Sequence, residues 1–274
     1  MKYALRILAL AVTVVATLMT SNSRGVMAQP ADTQVGRKPV IVELFTSEGC
    51  SSCPPADALL SSLEGEQPIA DADIIVLEEH VTYWDSTDAW VDPFSSEQWT
   101  LRQQDYVTKL KAPASYTPQM VVDGQSQLVG SNAQQATQAI EAAGHLPTTA
   151  IDIVPEAATA NGTEKISVKI GSLQGNTQGD TVEVWLAVTE SGLHTPVGRG
   201  ENAGRDWHHG SIVRTFYKIG VANESTSRTS FAQDSTVKID HKWKRENLRI
   251  VVFLQEKKSM RILGAGSLLV ANAN

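Results

Sequence analysis

The chain has 274 residues, 42% hydrophobic and 19% charged, with 23 Lys plus Arg against 30 Asp plus Glu and a net charge of −7. That acidic balance argues against nucleic acid or an anionic lipid surface as partner, because both need a positively charged counterpart. The length suits one large domain or two ordinary ones.

The first 28 residues read as an export signal. Lys2 and Arg6 form a positive start, Ile7 through Met19 is apolar apart from Thr13 and Thr17, and Val26-Met27-Ala28 offers small residues for cleavage. An uncleaved N-terminal anchor is the alternative, although the apolar run is short of the ~20 residues a spanning helix needs. Cleavage after Ala28 removes three cations and no acid, which moves the net charge from −7 to −10. The mature protein is therefore expected to be periplasmic or secreted, with no stable membrane insertion. Residues 29–38 are polar and mixed, and read as a flexible leader.

The apolar run Val40-Ile41-Val42-Glu43-Leu44-Phe45 predicts a first strand over about 40–46. It is followed by the chain's only two cysteines, Cys50-Ser51-Ser52-Cys53, and then by Pro54-Pro55. Proline is tolerated only in a helix's first turn, so a helix is expected to begin here and run over about 54–64. Strand, C-x-x-C, helix is the layout of a thiol–disulfide redox site. Cys50, at or just before the helix start, is placed where backbone N–H groups and the helix dipole favour a thiolate. It is expected to be the more exposed, attacking sulfur, with Cys53 behind it resolving the mixed disulfide. Two other readings remain. A structural disulfide between residues 50 and 53 closes so small a loop that it contributes about 2 kcal/mol, against about 3 for a fifteen-residue loop. A soft metal such as copper would use Cys50, Cys53 and a nearby histidine, with His80 the best candidate. Tetrahedral zinc is disfavoured because no second C-x-x-C is present.

Further along, Ile74-Ile75-Val76-Leu77, continuing towards His80 and Val81, predicts a strand covered on both faces. Residues 93–111 predict a helix entered at Pro93, with Trp99, Arg102, Gln103, Tyr106 and Leu110 at helical spacing. Met120-Val121-Val122, Asp123-Gly124 and Leu128-Val129 predict a hairpin, and Ala133 to Ala143 a helix stopped by Gly144. This β-α-β-(α)-β-β-α order implies a central sheet with helices on its faces. After Pro147 the pattern becomes period-two, with strands expected at 151–154, 166–170, 182–188, 212–219, 236–240, 249–255 and 261–270, as in an all-β sandwich. The division is thus 1–28, 29–38, 39–146 and 147–274.

Two further segments carry chemistry-bearing residues. Tyr83, Trp84, Trp90, Phe94, Trp99 and Tyr106 suit either a hydrophobic groove or, more commonly, the core under a helix. Residues 198–209 hold three glycines, Arg199, Arg205 and His208-His209. They suit an anion or metal site, or simply a long hairpin connection, the commoner case. Adjacent histidines on a strand point to opposite faces and do not chelate together.

Strand–C-x-x-C–helix, followed by strand, helix and a Thr117-Pro118 step into a hairpin, resembles the thioredoxin superfamily. In wording, Val42 to Asp57, His80-Val81-Thr82-Tyr83-Trp84-Asp85, Tyr116 to Gly124 and Arg199 to Arg205 resemble a bacterial family of secreted thioredoxin-like proteins with no assigned function. The resemblance implies an α/β thioredoxin-like domain followed by an all-β sandwich-like domain. It also implies a cis-proline at Pro118 facing the cysteines and a substrate-pairing backbone at Thr117. Glu43 lies near the place of a buried acid that accepts a proton from Cys53 through water; an edge-facing or salt-bridged glutamate is the alternative. Gly49 stands where thioredoxins carry tryptophan, and Ser51-Ser52 where they carry Gly-Pro. The implied activity is exchange with exported protein thiols or disulfides, or with a redox partner protein. The disulfide itself is then the redox group, no separate cofactor is needed, and a copper-binding envelope protein is the alternative.

Overall fold

The computed structural model describes residues 36–156, 162–175, 179–223 and 229–270. The export segment and most of the leader lie outside the described residues. Those from 36 onward belong to one compact unit with a mixed α/β architecture.

The first half runs β1 (Lys38–Thr46), α1 (Pro54–Glu66), β2 (Ala72–His80), α2 (Glu97–Lys109), β3 (Gln119–Val122), β4 (Ser126–Val129) and α3 (Ala133–Gly144). β1 and β2 pair in parallel from Lys38–Ala72 to Thr46–His80. β3 pairs antiparallel with the other edge of β1 and forms a hairpin with β4. Alternation divides the side chains of β1 and β2 between two faces. Val40, Val42, Leu44, Ile74 and Val76 pack under α1 and α3, with Leu60, Leu63, Ala136 and Ile140. Ile41, Ile75 and Leu77 pack on the other face with Trp99 of α2.

Helix α1 begins where the proline pair requires. Cys53 is its N-cap and holds α-region torsions (φ −77°, ψ −37°) although it precedes a proline. Helix α2 starts later than Pro93 predicts. Ser96 adopts extended torsions and its side chain accepts from Gln98 N, so a hydroxyl cap sets the start and Pro93 stays in the preceding turn.

The second half is β5 (Ile151–Pro155), β6 (Thr163–Gly171), β7 (Val182–Glu190), β8 (His194–Pro196), β9 (Asp206–His208), β10 (Ile212–Ala222), β11 (Thr229–Lys238), β12 (Leu248–Glu256) and β13 (Ile262–Leu269). Four of these strands extend the sheet of the first half, giving one eight-stranded sheet in the order β13-β12-β7-β10-β2-β1-β3-β4. The junction is a short parallel pairing at Ile212 and Glu78. β11, β6 and β5 form a three-stranded sheet whose apolar residues share a core with β7, β12 and β13. β8 and β9 form a separate two-stranded arm.

Candidate functional site: a covered disulfide backed by a histidine–carboxylate cluster

Cys50 and Cys53 are joined in a disulfide, with their Cα atoms 5.5 Å apart, at the start of α1. Cys53 N donates to Cys50 O at 3.3 Å, and the first turn of α1 closes as Ala56 N donates to Cys53 O at 2.8 Å. Ser51 and Ser52 are exposed. The Ser52 hydroxyl donates to Thr117 O at 3.5 Å, so the Thr117-Pro118 step, a cis peptide, lies beside the cysteine turn. Two glycines permit this approach. A Cβ on Gly130 would sit 3.1 Å from Ala56 Cβ and 3.2 Å from Pro118 Cβ. One on Gly49 would sit 3.1 Å from both Cβ and the backbone O of Trp84, whose indole Nε1 donates to Thr117 Oγ1 at 2.7 Å.

The expectation of an exposed Cys50 is corrected. Both cysteines are 0% exposed. The arm formed by β8 and β9 lies over them, with Val197 and Trp207 packed on the sulfurs and Trp90 alongside. At its tip, Asn202 Nδ2 donates to Glu48 O at 2.9 Å and to Cys50 O at 3.0 Å. The 198–209 segment is thus a hairpin connection, and its work is to cover the disulfide.

Behind the disulfide, on the α1 face of the sheet and at the C-terminal ends of β1 and β2, lies a buried polar cluster. His80 Nε2 is 3.0 Å and His209 Nδ1 2.8 Å from the same oxygen, Glu78 Oε1. His80 Nδ1 is 2.7 Å from Asp92 Oδ2, and His209 Nε2 is 3.0 Å from Glu48 Oε1. Gly210 N donates to Glu78 Oε2 at 2.6 Å, and Trp90 Nε1 to Glu48 Oε2 at 2.8 Å. Phe94 meets both imidazoles in T-shaped contacts, and Trp207 stacks on His209. Trp207 therefore touches the disulfide and the cluster alike.

The electrostatics follow from burial and pairing. Burial would lower both imidazoles. The charge of Asp92 and its hydrogen bond, with those of Glu78, hold His80 well above its usual value instead. Hydrogen bonds to Glu48 and Glu78 raise His209 to about 9. Burial would raise Glu78, but the two histidines bring it down to about 2. Burial, then the Glu78 charge, push Asp57 up to about 8, while Thr46 Oγ1 donates to its carboxylate at 3.0 Å. Asp57 is the acid on the cysteine-bearing helix, one turn beyond Cys53.

Glu43 is elsewhere. It lies on the α2 face, 2.6 Å from Arg102 Nε, and its other oxygen accepts from Tyr106 OH at 2.6 Å. The Arg102 guanidinium also lies over the rings of Tyr106, Phe216 and Phe253. Of the two roles weighed for Glu43, the structure shows the salt-bridged one. Among the described residues, the His/Cys/Asp/Glu group whose ligand atoms lie within 4.8 Å of one another is Glu78, His80 and His209. It shares His80 with the copper set expected from the sequence and contains neither cysteine. Of the aromatic residues, Trp99 and Tyr106 are core, Trp90 and Phe94 line the site, and Tyr83 and Trp84 are exposed beside Thr117.

The sequence singles out none of Glu48, Glu78, Asp92, Asn202 and Trp207, and offers His209 only as a possible metal ligand beside His208. Two local signals point to part of the site. Glu78 and His80, two apart on a strand, share a face. His208 and His209 must diverge, and His208 is exposed whereas His209 is buried. No local pattern joins His209 to a strand some 130 residues earlier.

No helix among the described residues is long and apolar enough to cross a membrane. No curated protein matches the chain. Among solved structures, it is similar to Protein AGR_C_4864 from Agrobacterium tumefaciens, at 24% identity over 86% of this chain and 96% of that one, with a TM-score of 0.62. It is also similar to HBP35 of Porphyromonas gingivalis, at 15% identity over 85% of this chain and 76% of that one, again with a TM-score of 0.62. At these identities the likeness speaks to the fold alone. The model of the family described as "Protein of unknown function (DUF1223)" matches residues 41–255, most of the chain, and the protein belongs to that family.

Proposed function

We propose that this protein is an exported thioredoxin-like thiol–disulfide oxidoreductase that exchanges Cys50–Cys53 with thiols or disulfides of other exported proteins. The observation that carries the reading is the placement of the disulfide at the N-terminus of α1, beside the backbone of Thr117. The thioredoxin-like reading of residues 39–146 is supported by the run β1–α1–β2–α2–β3–β4–α3 with strand order β2-β1-β3-β4. The sandwich-like reading of 147–274 is supported by the core shared between β5, β6 and β11 and the large sheet. Periplasmic or secreted residence is supported by the export-like start and by a disulfide, which persists in oxidising compartments.

In the exchange, a partner thiolate attacks Cys50 Sγ. A partner–Cys50 disulfide forms, the Cys50–Cys53 bond breaks, and Cys53 leaves as thiolate. A second partner thiolate then attacks the partner sulfur and releases Cys50. The partner loses two electrons and the Cys50–Cys53 pair gains them; the reverse sequence reduces the partner. Both sulfurs are covered, so attack requires the β8–β9 arm to lift Val197, Asn202 and Trp207 away. The exposed rings of Tyr83 and Trp84 beside Thr117 supply an apolar margin for an extended peptide.

Equilibration of the purified protein against glutathione redox buffers tests the proposal. The expected result is reversible opening and closing of Cys50–Cys53, with Cys50 alkylation in the reduced form titrating below the ordinary ~8.5. A disulfide that opens only on unfolding would overturn it.

A further inference from the structure

The cluster behind the disulfide has the arrangement of a metal centre. We propose that Glu78, His80 and His209 bind a single divalent transition-metal ion of the zinc class, with Asp92 and Glu48 as the carboxylates that orient the two imidazoles. The inference goes beyond the disulfide chemistry and does not depend on it.

The three donors already converge. His80 Nε2 and His209 Nδ1 lie 3.0 and 2.8 Å from Glu78 Oε1, and all three ligand atoms fall within 4.8 Å of one another. Zinc sits about 2.0–2.1 Å from nitrogen and oxygen donors, so tetrahedral donors are about 3.3 Å apart. The two nitrogen-to-oxygen separations need to widen by only a few tenths of an ångström, on the order of side-chain relaxation, to admit the ion.

The far side of each imidazole is also prepared. Ligating histidines characteristically give their second N–H to a carboxylate, which fixes ring orientation and tautomer. His80 Nδ1 lies 2.7 Å from Asp92 Oδ2, and His209 Nε2 3.0 Å from Glu48 Oε1. These outer carboxylates are held in turn. Asp92 accepts from Glu48 N at 2.7 Å and from Phe94 N at 2.9 Å, and Glu48 accepts from Trp90 Nε1 at 2.8 Å. Two unrelated histidines, one from β2 and one following β9, carry the same carboxylate backing.

Each imidazole faces Glu78 with one nitrogen and an outer carboxylate with the other. Two nitrogens and one oxygen suit a first-row transition ion; magnesium and calcium take oxygen sets. Because His209 follows the arm and Glu78 and His80 belong to the sheet, the ion would also fasten the disulfide's cover to the body of the protein.

The test uses the purified protein with its disulfide intact, stripped with a chelator and titrated with zinc against a chromophoric competitor. One equivalent is expected. Cobalt(II) in the same place should show visible d–d bands without sulfur-to-metal charge transfer. X-ray absorption of the zinc form should show two imidazoles and no sulfur, a result that requires no variant. Glu78→Gln and His209→Gln should abolish stoichiometric uptake while Cys50→Ser/Cys53→Ser retains it. Folded wild-type protein that takes up no zinc or cobalt, a sulfur in the metal's shell, or uptake undiminished in folded Glu78→Gln and His209→Gln would overturn the proposal.

Discussion

The Asn202 carboxamide donates from one nitrogen to the backbone carbonyls of both Glu48 and Cys50, at 2.9 and 3.0 Å, and so ties the tip of the β8–β9 arm to the loop that carries the first cysteine. The arm buries both sulfurs, so this contact helps to hold the cover over the disulfide.

Asn202→Ala removes both hydrogen bonds. At about 1 kcal/mol each the loss is roughly 2 kcal/mol, which raises the open fraction of the arm roughly thirtyfold. Reduction of the disulfide by a small dithiol should accelerate by about that factor, while the far-UV circular dichroism stays native. An unchanged reduction rate in the folded variant would show that the arm is not the gate.

Glu43 and Arg102 form an ion pair beneath α2, on the sheet face opposite the cysteine-bearing helix. Glu43→Gln removes the carboxylate 2.6 Å from the buried guanidinium and leaves Glu79 Oε1, at 3.5 Å, as its remaining acidic neighbour, a loss of up to about 3–5 kcal/mol. The variant should melt well below the wild type, yet the pH dependence of cysteine alkylation in the reduced protein should be unaltered. A shifted alkylation profile with undiminished stability would return Glu43 to the role of proton acceptor for Cys53.

Asp123, in the turn between β3 and β4, accepts from Ile41 N at 2.7 Å. Burial, then the nearby Glu43 charge, raise its carboxyl from 3.8 to about 7. A raised folded-state value means that the native protein holds this proton more tightly than the unfolded chain. The stability it contributes is therefore full below about pH 4 and lost as pH rises through about 7. Asp123→Asn keeps the acceptor for Ile41 N and removes the titration. Its unfolding free energy should be flatter than the wild type's between pH 4 and 7, measured by urea denaturation. Parallel curves for the two proteins would rule this out.

The parts of this molecule that were legible from the sequence are those specified by neighbours along the chain. Pro54-Pro55 announced the start of α1, and Asp123-Gly124 announced the β3–β4 hairpin. Pro93 is a strong helix-start signal, yet α2 does not begin there. The cap is Ser96, with extended torsions and a side-chain bond to Gln98 N. What was not legible depends on contacts between distant segments. The large sheet continues across a pairing at Ile212 and Glu78, too short to leave a pattern in either strand. β8 and β9 are three residues each, below the length at which alternation is readable. Cys50 is covered by Val197 and Trp207 of an arm whose Asn202, 152 residues later, bonds its carbonyl, a contact that no local pattern announces. His80 was recognised as a possible ligand, but its partner His209 and the backing carboxylates are brought together only by the tertiary fold.

The most direct measurement of the central claim is trapping with the resolving cysteine removed. Cys53→Ser protein, incubated with exported proteins of a bacterial envelope extract and quenched with acid, should hold partners through Cys50 as mixed disulfides that dithiothreitol releases, whereas Cys50→Ser protein should hold none. Equal capture by the two variants, or no capture by Cys53→Ser even when Asn202→Ala opens the arm, would contradict a disulfide built for exchange and leave Cys50–Cys53 as a structural crosslink.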